Sequence, residues 1–189
     1  CSNIVGTVNN LKKISDLAHE VNALVIGDGV SYAPHGFPDV KELGVDFYTF
    51  SLYKTYGPHL ALLYGKEEIF KKLPNQNHQF LEGEYPYTIN PGGPNHEELA
   101  SLIGIHDYMM NLYNHHFNDK KLSTREKIIK INNLISNHEE EVANPILEYI
   151  YNKKNLKLIG KNKILNKNRA PTIAFTSKNI SSKKISEIL

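Results

Sequence analysis

The chain has 189 residues, 40% hydrophobic and 22% charged, enough to bury a core in one large or two small domains. Its 22 basic and 20 acidic residues leave a net charge of +2, too balanced to argue for nucleic acid or a membrane surface as partner. One cysteine, Cys1, excludes an internal disulfide and a cysteine-based zinc cluster and fits a reducing cytoplasm, the location expected for this protein, without demanding it; no apolar run approaches the roughly 20 residues that cross a bilayer.

In chain order, Asn10 can cap a helix whose apolar face is Leu11, Ile14, Leu17, Ala18 and Val21. The unbroken run Ala23-Leu24-Val25-Ile26, closed by Gly27-Asp28-Gly29, predicts a strand buried on both faces and ended by a turn. Val45 to Phe50 and Leu60 to Tyr64 predict two more strands, separated by the Tyr56-Gly57-Pro58 break. This alternation predicts an α/β layered domain with a mainly parallel sheet.

A short helix over Glu67 to Leu73 ends at Pro74, and Pro74 to Pro94 reads as one long loop, a length that is usually functional or reaches a partner. Helices follow over about Asn95–Tyr113 and Ser123–Tyr151, the second with Pro145 as a possible kink site, and a polar hinge lies between them. Strands are expected at Leu156–Ile159 and Thr172–Thr176, then a helix from Ser181 through Ile185, Ile188 and Leu189. The division falls near 117, giving domains 1–117 and 118–189. With no initiating Met and no closing stop signal, the sequence reads as a fragment, expected to be poorly stable and inactive alone.

Two residues carry the chemistry. Asp28 ends a buried strand, where ligands gather in open α/β sheets, although an Asp-Gly pair is also a common turn cap. Lys54 ends the next strand, among the hydroxyls of Ser51, Tyr53, Thr55 and Tyr56. A strand-end lysine is commonly just solvated. A partly desolvated one can attack an aldehyde, and several hydroxyls suit a phosphate.

Together these residues resemble the class V aminotransferase family of pyridoxal-phosphate enzymes (fold type I), and within it the cysteine desulfurase-like branch. The resemblance runs through Ser2-Asn3-Ile4-Val5-Gly6-Thr7, Asp28-Gly29-Val30-Ser31-Tyr32-Ala33-Pro34-His35, Asp46 to Lys54, Gly92-Gly93-Pro94-Asn95 and Arg169 to Thr176. It implies a three-layer α/β/α fold: 1–117 would be the C-terminal part of the large cofactor domain, and 118–189 the first part of a small α+β domain. It also implies pyridoxal 5'-phosphate held by Lys54 as an internal aldimine, with Asp28 keeping the ring nitrogen protonated. Ser51 would bind the phosphate, and Asn3 would face the substrate carboxylate or the ring hydroxyl. His35 would approach the pocket, although a structural hydrogen bond is an equal reading.

The departures are informative. Ser31 stands where desulfurases usually have Gln, and Tyr53 replaces the usual His before the lysine, keeping a donor for phosphate but losing a proton carrier. Gly93 replaces a threonine that reaches the neighbouring subunit's phosphate, leaving its backbone N–H for that role. The resemblance implies a homodimer in which Gly92 to Asn95 complete the other subunit's site. It places the phosphate loop and the stacking group before Cys1, and the substrate Arg and sulfur-accepting Cys beyond Leu189.

The nine histidines show no His-x-x-x-His or Glu-x-x-His order with supporting carboxylates, so no metal is expected. The expected activity is on an amino acid, desulfurase-like. Selenocysteine lyase, epimerase and transaminase chemistry remain open beside it, as does a non-catalytic phosphate-binding module.

Overall fold

The computed structural model describes residues 1–85, 87–90 and 92–188; Pro86 and Pro91 of the long loop, and Leu189 of the closing helix, lie outside the described residues. The chain divides into two compact units, one of residues 10–33 and 38–111, the other of 1–9, 34–37 and 112–188.

The first unit opens with helix α1, Leu11–His19, capped by the Asn10 side chain, which accepts from the Lys13 N–H at 3.0 Å. Of the expected apolar face, Leu11 and Ala18 pack on the core, while Ile14, Leu17 and Val21 are exposed and Ser15 is buried instead. Strand β1 is Ile26–Asp28, helix α2 Val40–Leu43, strand β2 Phe47–Ser51 and strand β3 Ala61–Gly65. β1 runs parallel to β2 with Asp28 level with Thr49, and β2 runs antiparallel to β3.

Two expectations change here. The strand expected at 23–26 begins at Ile26 and is not buried on both faces: Ile26 and Asp28 are exposed and Gly27 is buried. Only Ile26 to Asp28 find ladder partners, and among the described residues β1 pairs along one edge alone. The sheet is also mixed, because β2 and β3 are joined by the short 52–60 segment, whereas a parallel crossover needs a dozen residues or more.

The core gathers Val25, Ala33, Val45, Tyr48, Phe50 and Leu52, with Leu102 and Ile105 against it. Helix α3, Glu67–Phe70, is shorter than expected. The single helix expected over 95–113 is two, α4 at His96–Ser101 and α5 at Ile103–His116. At the junction the Leu102 N–H bonds to Leu99 O and the Ile105 N–H to Leu102 O, a tightened i→i−3 turn next to Gly104, a poor helix former.

The second unit is built on helix α6, Thr124–Asn152, which begins with a full capping box between Ser123 and Glu126 and continues through Pro145. Its Ala143 and Leu147 pack with Ile164, Leu158 and Ile173. Strands β4, Leu156–Ile159, and β5, Ala174–Ser177, pair antiparallel, and helix α7 is Ser182–Ile188. Among the described residues no helix is long and apolar enough to cross a membrane.

Candidate functional site

The site is built at the carboxyl end of β1 and β2. Because the two strands are parallel and Asp28 lies level with Thr49, the turn after Asp28 and the segment after Ser51 leave the sheet at the same edge. The Gly29 N–H bonds to Thr49 O at 2.8 Å, fastening the first turn to the second strand. Asp28 closes its own turn by accepting from the Val30 N–H at 2.9 Å, and its side chain is exposed at that edge. Ser31 follows in the same turn, half-buried.

Tyr48 explains why the sequence there is Gly-Asp-Gly. It pairs with Gly27 across the ladder and is buried, with its ring lying under both glycines. A Cβ on Gly29 would come within 2.1 Å of the Tyr48 hydroxyl, and one on Gly27 within 2.7 Å of its ring. Only glycine fits on that face, and Asp28, between them, projects from the other. Burial first, then the charges of Tyr32 and Asp28, push the Tyr48 phenol up to about 12. Gly29→Ala should therefore cost about 2 kcal/mol from overpacking. Gly104→Ala, which meets open space in α5, should be neutral or slightly stabilising. Denaturant unfolding of the two variants in the intact protein checks the contrast.

Beyond Ser51 the chain enters a 3₁₀ turn, Leu52–Thr55, that carries Tyr53 and Lys54. The turn closes through Tyr56 in the left-handed conformation (φ +67°), the Gly57 N–H on Leu52 O at 2.9 Å, and the Leu52 N–H on Leu60 O at 2.8 Å. A Cβ on Gly57 would lie 3.0 Å from the Leu52 carbonyl oxygen and would push the end of the Ile105 side chain aside, so the turn is tight at this position. Lys54 is half-buried, with Nζ 6.0 Å from the centroid of the Tyr53 ring. The expected ring of four hydroxyls is only partly there. The Thr55 hydroxyl is buried and donates to Leu52 O at 2.9 Å, and the Tyr56 ring packs on Tyr108 at 4.5 Å. Ser51, Tyr53 and Tyr56 are the other hydroxyls near the lysine in sequence.

Gly93 lies on the exposed stretch before α4, whose cap is Asn95, accepting from the Glu98 N–H at 2.9 Å. Asn3 and His35 belong to the other unit. Asn3 is exposed on a small closed loop in which the Ser2 N–H bonds to Thr7 O and the Gly6 N–H to Ser2 O. The Ala170 N–H on Gly6 O at 2.8 Å pins that loop, and Gly6 (φ +69°) leaves no room for a Cβ there. Beside it, buried Arg169 donates to Lys161 O and to Thr172 O, and burial lowers its pKa. His35 Nδ1 lies 2.7 Å from Glu139 Oε1 of α6.

The whole chain, residues 1–189, matches the family model Aminotransferase class-V. The chain belongs to the class V aminotransferase family. It is 35% identical over 189 residues to the Aminotransferase-like protein FGM3 of Gibberella zeae, covering 99% of this chain and 43% of that protein. A segment is 44% identical over 107 residues to a Probable cysteine desulfurase of Halalkalibacterium halodurans, covering 56% of this chain and 22% of the other. The crystal structure of the Escherichia coli cysteine desulfurase CsdA superposes with a TM-score of 0.66 at 19% identity, over 96% of this chain and 43% of that one. That superposition establishes the fold of this class V chain as the mixed α/β fold of the desulfurases. The chain spans less than half the length of these relatives.

Sequence reasoning missed Tyr48 as the platform under Asp28 and His59, whose imidazole stacks on the Tyr53 ring. The glycines on both sides of Asp28 were a signal for the first; nothing in the spacing announced the second.

Proposed function

We propose that this chain carries the cofactor-binding part of a pyridoxal-phosphate enzyme that acts on an amino acid in the manner of a cysteine desulfurase. The observation that carries it is that Asp28 and Lys54 leave adjacent parallel strands at one sheet edge. A carboxylate, an amine and the Ser51 hydroxyl on one edge make a donor set that fits a pyridinium, an aldehyde and a phosphate. The platform of Gly27, Gly29 and Tyr48 turns the carboxylate away from the packed face.

When bound, the cofactor supplies an electron sink for charge developing at the substrate's α-carbon. Lys54 holds the aldehyde through its Nζ and afterwards carries a proton to or from that carbon. Asp28 holds a proton at the ring nitrogen. Ser51 and Tyr53 bind the phosphate, and Ser31 lies toward the ring hydroxyl. Asn3 and His35 serve the substrate side. The backbone N–H of Gly93 completes the phosphate site of a second subunit in a homodimer. Residues 1–117 form the later part of the large domain and 118–189 the start of the small one, in a cytoplasmic protein.

Ser31 and Tyr53 favour a desulfurase-like branch over standard sulfur mobilisation. Partial similarity to the Cysteine desulfurase-like protein ustD of Aspergillus flavus, 44% identical over 82 residues, supports that choice. Selenocysteine lyase, epimerase or transaminase outcomes use the same residues.

Reconstituting the intact protein with pyridoxal phosphate tests the reading. The cofactor's bound absorbance band is expected in the wild type and lost in Lys54→Ala. A band that persists unchanged in Lys54→Ala overturns it.

A further inference from the structure

The imidazole of His59 is stacked on the Tyr53 ring, with centroids 5.2 Å apart and planes 20° from parallel. Tyr53 is nearly half exposed, so part of its ring faces solvent. The same phenol has the Lys54 ammonium at 6.0 Å from its centroid, within reach of a cation–π attraction. The stack is built by the backbone. Tyr56 in the left-handed region, Gly57 against Ile105 and the Leu52–Leu60 bond return the chain so that residue 59 meets residue 53.

We propose that His59 is a positioning residue for Lys54, acting through the face of Tyr53. An exposed phenol would otherwise sample several rotamers, and the lysine beside it would lose its preferred partner. With His59 against it, the ring is held in one orientation and the amine is presented consistently. This rests on Lys54 being the cofactor's anchor, and it adds a residue outside the motif that carries the resemblance.

The test uses the intact protein with His59→Ala, which removes the stack, and His59→Phe, which restores a ring without the imidazole's nitrogens. One readout is the extent of Lys54 acylation by a limiting amine reagent at fixed pH, without added cofactor, read by peptide mass spectrometry. The other is the dissociation constant for pyridoxal 5'-phosphate. His59→Ala is expected to raise Lys54 labelling about threefold and to weaken cofactor binding by a similar factor, with His59→Phe close to wild type on both. Wild-type labelling in His59→Ala overturns the proposal. So does His59→Phe behaving like His59→Ala, which would assign the effect to the imidazole nitrogens. Weaker cofactor binding with unchanged labelling also overturns it, because His59 would then act on the cofactor directly. The labelling needs no cofactor, so its outcome is separate from the Lys54→Ala absorbance result that decides the functional reading.

Discussion

Asp28→Asn in the intact protein is expected to lower amino-acid turnover on the order of a hundredfold while leaving the fold in place. The amide keeps an oxygen for the Val30 N–H, so the turn after β1 stays closed, and the exposed position carries no packing. On the proposed reading, what is lost is the negative charge that would face the cofactor's ring nitrogen. A charge-assisted hydrogen bond there is worth about 3 kcal/mol, and its loss leaves the ring a weaker acceptor of electrons. Steady-state kinetics beside a denaturation curve separate the two effects. Unchanged turnover in a fully folded Asp28→Asn would show that this carboxylate has no part in the chemistry.

The second large effect lies at the opposite end of the same strands. Asp46 is 2% exposed at the start of β2, 2.7 Å from Lys66 Nζ and 2.9 Å from His19 Nε2, and it accepts from the Val25 N–H at 2.7 Å. One carboxylate thus ties the end of α1, the approach to β1 and the residue after β3. Burial alone would raise its pKa; the hydrogen bonds from Lys66, His19 and Val25, with the Lys66 charge, outweigh it and hold the group at about 2. The folded value is depressed below that of the unfolded chain. Its stabilisation, about 2 kcal/mol, is therefore complete above the ordinary carboxylate range and lost as pH falls through that range toward about 2. Asp46→Ala should cost about 3 kcal/mol near neutral pH, since it strands a half-buried lysine and a backbone donor. It should also flatten the acid limb of the stability curve. Denaturant unfolding across the acid range measures both, and an acid limb as steep as wild type would contradict the assignment.

Much of this was readable from the residues. The Asn10 cap, the β4 strand and the place of Asp28 at a strand end follow from local pattern, because a cap or a strand end is decided within a few residues. The burial of β1 was not readable. An apolar run states what a strand can bury, while exposure depends on which neighbours pack beside it, and Leu24 and Ile26 remain open here. The antiparallel β3 was encoded in the short 52–60 connection, a length signal that hydrophobic pattern does not carry. The hydroxyl of Thr55 illustrates the same limit at the site. Sequence proximity to Lys54 suggested it as one of a ring of donors, but turn geometry commits it to a backbone carbonyl. His59 reaches Tyr53 only through that turn, so their stacking was invisible before the fold.

Lys54 is the residue proposed to carry the cofactor. Borohydride reduction of the cofactor-loaded intact protein, followed by peptide mapping, tests it most directly. The pyridoxyl group is expected on the peptide containing Lys54 and on no other. Labelling of a different lysine, with Lys54 unmodified, would rule Lys54 out as the cofactor's anchor.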